Sequence, residues 1–313
     1  MWQYAIKRIL LTIPTLFIAS GLVFICVRLL PGDPALLIAG DVQDEAALDA
    51  VRQSLGLDQP IIVQYGLWLK NMLSLNLGIS ISSGTPVVDL IVSRFSVTAQ
   101  LVLIASAIAL VVAAPLGLFA ASRHNTRTDS VIMITSILML SIPSFWIALL
   151  LILVFGVELK WLPTVGYVSA DENLLQAVRF MIMPVLALTF VVLGQLTRMM
   201  RSTSIDILGK DYITHARAKG LSEAAVLRHH VFKNAFAPTM TLMGMIVGSL
   251  LGGAAVVETI FTLPGIGRLM VDSIYARDYP VIQGSVLLVG TAYVFVNLVV
   301  DLLYPFLDPR VKL

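Results

Sequence analysis

Charge and cysteine are what this sequence has least of. Only 13% of its 313 residues are charged, against 58% hydrophobic, and the mean hydropathy is +0.91. A soluble domain cannot hide that much apolar surface, so the composition implies an all-α polytopic membrane protein embedded in a lipid bilayer. The one cysteine, Cys26, sits inside an apolar run, which excludes a disulfide framework and a cysteine metal site. The four histidines, His124, His215, His229 and His230, all fall in polar loops. Adjacent residues on a helix point apart, so His229 and His230 make no metal pair. There is no GxxxxGK followed by Ser or Thr, no GxSxG and no HExxH. No catalytic, cofactor or metal residue is therefore expected in this chain. A net charge of +2 gives no reason to expect a nucleic-acid partner.

What is present is a series of apolar runs long enough to cross the hydrocarbon, about 20 residues each. Six are read, at about 9–30, 97–121, 131–157, 181–200, 239–257 and 282–304. Pro14, Pro115, Pro143 and Pro184 fall in or at the ends of them, which membrane helices tolerate. The first run follows Lys7 and Arg8 but is too long for a signal-peptide core, and no cleavage site follows it. It reads as an uncleaved span. Nearly twice as many Lys and Arg lie with the termini and the even-numbered connections as lie opposite them. Both termini are therefore expected in the cytoplasm.

Residues 31–96 form a long outer loop with helical pattern. Asp41–Leu55 reads as an amphipathic helix ended by Gly56, Pro60–Leu73 as a second, and Pro86–Phe95 as a third capped by Thr85. Such helices either lie on the membrane or form a platform for an external protein; the pattern alone favours neither. In the fifth span Gly244, Gly248 and Gly252 share one face, suited to close helix packing within the chain or across a dimer seam. Ionisable groups near the spans are few. Arg28 and Glu258 lie near outer ends, where snorkelling would serve them, and Asp301 lies near the inner end, where the tail could satisfy it. No chain of buried acids suggests a proton or sodium relay, which argues against a secondary transporter or channel.

The most informative stretch is 201–238. It is the longest basic segment between two spans, and within it Tyr212–Lys219 reads as a helix with Asp211 as its N-cap. Gly220 stands where a left-handed residue would end that helix. Ser222 can cap a second helix, with Glu223 in its first turn, running to about Ala237 before Pro238. Ala216-Arg217-Ala218-Lys219-Gly220, then Leu221-Ser222-Glu223, with Asn234-Ala235 and Pro238 downstream, resembles the cytoplasmic coupling loop of ABC importer permeases. The branch resembled is the dipeptide, oligopeptide and nickel one. Of the family's general Glu-Ala-Ala-x-x-x-Gly pattern only Ala216 and Gly220 match; Thr214 and His215 replace the Glu and the first Ala. Gly32-Asp33-Pro34, Leu55–Pro60, Leu263–Arg268, Arg277–Gly284 and Asn297–Arg310 resemble the same branch, so the resemblance covers nearly the whole chain.

The resemblance implies one transmembrane permease domain over 1–313, of the six-helix type I importer kind, in the bacterial inner membrane. It implies coupling to ATPases through Thr214, His215, Ala216, Arg217, Ala218, Lys219, Gly220, Leu221, Ser222 and Glu223. The implied partners are a second homologous permease, two ATPase subunits that bind ATP and Mg, and an extracytoplasmic substrate-binding protein. The implied cargo is a di- or oligopeptide or a glutathione-like peptide, with a nickel chelate as the alternative. A reporter fused after Leu313 is expected to be cytoplasmic, and one inserted near Gly84 external. An external C-terminal reporter would overturn the topology.

Overall fold

A computed structural model of the chain describes residues 2–29, 49 and 58–307. The Gly32–Pro34 turn, the expected helix Asp41–Leu55 with Gly56, and the tail from residue 308 lie outside the described residues. In hydrocarbon each backbone N–H and C=O must be satisfied within its own segment, and the apolar runs accordingly fold as helices.

The elements are α1 (Trp2–Arg28), α2 (Ile61–Leu73), α3 (Val87–Ser122), α4 (Arg127–Ser141), α5 (Ser144–Leu151, continued by a π-helical stretch, Ile152–Glu158) and α6 (Leu174–Leu208). They continue with α7 (Asp211–Ala218), α8 (Glu223–Val226, then π-helical Leu227–Phe232), α9 (Lys233–Gly253), α10 (Ala255–Ile260), α11 (Ile266–Tyr275) and α12 (Tyr279–Leu307). Among the described residues five helices are long and apolar enough to cross a membrane, and a sixth span results if the bent pair α4 and α5 counts as one. Among the described residues the only β-pairing is an isolated bridge, Ile79 to Pro86.

The third span is bent, not straight. Its halves, α4 and the α5 segment, meet at 95°. The cause is local: Ile142 is extended (φ −89°, ψ 122°), as a residue before proline prefers, and Pro143 starts the next helix. Three other expectations also change. Pro86–Phe95 is no separate helix but the first turns of α3, and its N-cap is Pro86, not Thr85. Asp211 sits in the first turn of α7, behind an N-cap at Lys210 that makes no side-chain bond. The helix begun at Glu223 does not stop at Ala237. It runs through a π-helical turn to Gly253 with Pro238 inside it, because a membrane helix can absorb one missing N–H.

α6 is the centre of the bundle, with α3, α4, α5 and α9 around it. On α3, Ala105, Ala109, Ala113, Gly117 and Ala121 recur every fourth residue, and all are buried. This ladder of small residues allows close approach where lipid supplies no hydrophobic drive between helices. At Gly117 a Cβ would lie 2.7 Å from Thr197 O and from Met200 Cβ. Thr189 Oγ1 also reaches Ala105 O, at 3.3 Å. On the other side of α6, a Cβ at Gly194 would fall 2.6 Å from Ser136 O of α4.

The glycines of α9 face α12. A Cβ on Gly244 would overlap the Val300 side chain, one on Gly248 would overlap the Tyr293 ring, and one on Gly252 would touch Val289 at 3.7 Å. α1 lies outside this bundle, against α12, tied by Arg8 to Asp301 at 3.0 Å. Leu10, Ile13, Phe17, Ile18 and Leu22 of α1 stay exposed, the pattern of a lipid-facing helix. α2 rests on α1 through Tyr65, whose hydroxyl meets Ser20 at 2.8 Å and whose ring packs edge-on against Phe17 and Phe24.

Gly248→Leu should force Tyr293 from its seat and separate α9 from α12. The expected readout is reduced assembly in the membrane, seen as loss of a monodisperse detergent-extracted species. Normal assembly of that variant would show that the α9–α12 contact is dispensable.

Candidate functional site: the α7 knob and the clamps around it

α7 and α8 form a knob at one end of the bundle. Its interior is apolar: Ile213 and Ala216 of α7 pack with Met200, Ile207, Val226, Val231 and Ala235. Ile213 and Ala216 are three apart and so share the inner face of the helix. The outer face follows from the same period. Thr214, His215, Arg217, Ala218, Lys219 and Gly220 are exposed, as are Ser222 and Glu223, whereas Leu221 is half-buried. Two small residues that look equivalent in the sequence thus divide: Ala216 is core and Ala218 is surface.

The turn between the helices is closed by backbone and side chain together. Gly220 has φ +84°, and nothing lies within 4 Å of where its Cβ would be; glycine is there for the left-handed backbone, not for space. Gly220 N donates to Arg217 O at 2.9 Å. Ser222 caps α8 by accepting from Ala225 N. Arg217 donates twice to Glu223, at 2.7 and 3.2 Å, spanning the bend. Both side chains are substantially exposed, so the pair adds little stability, about 0–1 kcal/mol. Its effect is on the shape of the knob. His229 Nδ1 lies 3.1 Å from Ala225 O, a bond along its own helix. Among the described residues no group of three or more His, Cys, Asp or Glu could hold a metal ion.

Near the knob, Asp129 at the start of α4 is nearly fully buried. Arg201 of α6 binds it with two bonds, Nε to Oδ1 at 2.5 Å and Nη2 to Oδ2 at 2.6 Å. Asn125 N donates to Asp129 Oδ2 at 3.1 Å, and His124 Nδ1 lies 3.3 Å away. A buried pair that is bidentate and further hydrogen-bonded meets the condition for offsetting desolvation. It fixes the α3–α4 turn on α6. Sequence reasoning missed it because Asp129 and Arg201 are 72 residues apart; the only local signal was Thr126-Arg127-Thr128-Asp129, where Thr126 accepts from Asp129 N and caps α4.

Two carboxylates organise the opposite end. Glu258 is not a snorkelling residue: it is 0% exposed. Its Oε1 accepts from Thr98 Oγ1 at 2.5 Å and its Oε2 from Arg268 N at 2.9 Å. Thr98 Oγ1 in turn accepts from Ile266 N at 2.9 Å. Glu258 and Thr98 together satisfy the orphan N–H groups that begin α11. Burial raises the Glu258 carboxyl above the ordinary carboxylate range, against the opposing bonds from Thr98, Arg268 N and Gly267 N. A Cβ at Gly265 would collide with this carboxyl, which accounts for the glycine in Leu263–Arg268. Arg28, also read as snorkelling, lies with its guanidinium 5.2 Å from the Phe24 ring centre.

Asp278, just before α12, is 0% exposed. Its Oδ2 accepts from Ser80 Oγ at 2.6 Å, Ser82 Oγ at 2.8 Å and Ser82 N at 3.1 Å. Burial pushes this carboxyl up, but the bonds from Ser80, Ser82 and Ile81 outweigh it and hold the group below its ordinary range. The 79–86 turn is thus clamped to the start of α12. A depressed carboxylate stabilises the fold above its unfolded pKa, about 3.9, and loses that contribution as pH falls through its folded value. Asp278→Asn should therefore release the turn at neutral pH, raising amide hydrogen exchange across residues 79–86. The wild type should reach the same state only in acid. Equal exchange in the two proteins at pH 7 would rule out the clamp.

Comparison with known proteins agrees with a membrane-embedded helical bundle. Residues 113–313 match the family model described as binding-protein-dependent transport system inner membrane component, and residues 1–102 match the N-terminal model of the same family. A protein of Brucella abortus provisionally named a peptide transport system permease protein is 43% identical over 312 residues, 100% of this chain and 99% of that one. The glutathione transport system permease protein GsiC of Escherichia coli K12 is 44% identical over 312 residues, again 100% and 99%. A solved amino acid ABC transporter chain matches at TM-score 0.49 and 18% identity, over 70% of this chain and 94% of that one, too distant to argue from. With both family models and full-length relatives in agreement, the chain belongs to the binding-protein-dependent transport system inner membrane components, the permeases of ABC importers.

Proposed function

We propose that this chain pairs with a second homologous permease to form the path for peptides, including glutathione-like peptides, across a bacterial inner membrane. The relatives are named for peptide and glutathione transport, which favours such cargo over a nickel chelate. An extracytoplasmic binding protein delivers the cargo at the end bearing the 79–86 turn and α11. Two ATPase subunits, which bind ATP and Mg, dock at the α7 end. Both termini then lie in the cytoplasm, a placement that the Lys and Arg asymmetry supports.

The observation that carries this reading is the shape of the knob. Its outer surface presents Ala218, Lys219 and Gly220, and its interior is continuous with the side chains of α6 and α9. A small residue flanked by cations allows close approach by a partner backbone, and the apolar interior makes the knob and its two helices one body. Closure of the ATPase pair on ATP would move that body and tip the path from inward-open to outward-open. Selection of cargo lies with the binding protein.

Ala218→Trp should leave the chain in the membrane and weaken ATPase docking, since Ala218 is exposed and no neighbour in the chain is disturbed. Gly220→Val should do the same by straining the left-handed turn, at roughly 1–2 kcal/mol. The measurement is subunit stoichiometry of the reconstituted complex together with ATPase activity, with and without loaded binding protein. Docking and stimulation should fall together in both variants. Wild-type values in both would sink the coupling assignment.

A further inference from the structure

A groove of about 500 Å³ opens between α4, α6 and α9, and it is not part of the knob. This is the size of a small-ligand site, about 300–1,000 Å³. Gln195, Arg198, Met199 and Ser202 of α6 line it at helical spacing, with Met133 of α4 facing them. The groove also includes Arg201, but that guanidinium is engaged by the buried Asp129 carboxylate. Arg198 differs. It is exposed to the groove and, among the described residues, makes no ion pair or hydrogen bond. Gln195, one turn away, is likewise unpartnered among the described residues. Arg198 lies near the inner end of the span read at 181–200 and is exposed, so its guanidinium stays charged and is open to an anion that enters the groove.

We infer that this groove is a carboxylate-binding station for cargo, with Arg198 as the anion contact and Gln195 as its hydrogen-bonding neighbour. The inference rests on the peptide-importer reading and adds the chemical group recognised. A guanidinium donates two parallel bonds to a carboxylate, so a peptide can be held by its C-terminal group whatever its side chains are. The methionines suit the remainder. Their flexible, polarizable side chains repack around varied apolar groups. One net positive charge, with Arg201 already neutralised, gives a station that holds an anion without trapping it. The same oxyanion chemistry is offered by a lipid phosphate, so the test must separate the two sources.

The complex of this chain with its permease, ATPase and binding-protein partners is reconstituted in phosphatidylcholine vesicles, with or without phosphatidylglycerol. The probes are trialanine and trialanine amide, which lacks the carboxylate. At saturating loaded binding protein, Arg198→Gln should lower trialanine uptake about tenfold, the scale of one lost charged hydrogen bond. Arg198→Lys, which keeps the charge but not the two parallel bonds, should fall between Arg198→Gln and wild type, and uptake of the amide should be the same in Arg198→Gln as in wild type. Equal losses for both peptides, or none for either, would overturn the assignment. A second readout does not depend on transport: trialanine, but not its amide, should slow phenylglyoxal modification of Arg198. Slowing by phosphatidylglycerol alone would assign the groove to a lipid headgroup and overturn the cargo station. If wild type takes up neither peptide, the peptide reading fails on its own, and absence of trialanine protection would then remove the station as well.

Discussion

A Cβ added at Gly117 would sit 2.7 Å from a backbone oxygen of α6, so α3 and α6 meet almost backbone to backbone. The rest of the bundle is arranged around that approach. Between helices in lipid there is little hydrophobic gain, and contact is won by fit. The buried run Ala105, Ala109, Ala113, Gly117 and Ala121 supplies a smooth face over five successive turns. With α3 seated there, α4 closes on the far side of α6 at Gly194, and α9 and α12 close on each other at Gly244 and Gly248. Polar groups then lock the ends: Asp129 with Arg201 near the knob, Glu258 and Asp278 opposite.

The two ends are locked differently. Near the knob the lock is an ion pair, whose geometry is fixed by a bidentate guanidinium. Opposite, both locks are carboxylates bound by hydroxyls and backbone N–H groups, with no cation in direct contact in the bonds described. Such locks depend on the protonation state of one group each, and on elements that meet only in the folded state. The Glu258 lock joins α3, α10 and α11; the Asp278 lock joins the 79–86 turn to α12.

Much of this was legible in the sequence. Long apolar runs gave the spans, and Gly220 with Ser222 gave the bend and the second cap of the knob, because backbone preference is local. The glycines of α9 were conspicuous, whereas the alanines of α3 were not. An apolar run with no polar residue to mark the opposite side shows no face, so a four-residue alanine period is lost in it. The bend at Pro143 was hidden for a related reason. Proline is tolerated inside Pro115, Pro184 and Pro238 helices alike, and only the extended Ile142 distinguishes a break. Glu258 and Asp278 were misjudged or passed over because their partners lie 160 and nearly 200 residues away. No local pattern marks a carboxylate whose hydrogen-bond donors arrive from other elements.

The uninterrupted length of α6 has a mechanical consequence. Its 35 residues run from Asn173, which caps it, to the knob, a rod of roughly 52 Å. A swing of about 5° about one end carries the other through an arc of about 4.5 Å, which is close to a full helical turn of 5.4 Å. The knob therefore needs no large excursion of its own. Gly117 of α3 meets α6 at Thr197, Met200 and Arg201, close to its knob end, so a tilt of the rod about that contact would sweep the long arm toward Asn173 farther than the knob itself would move.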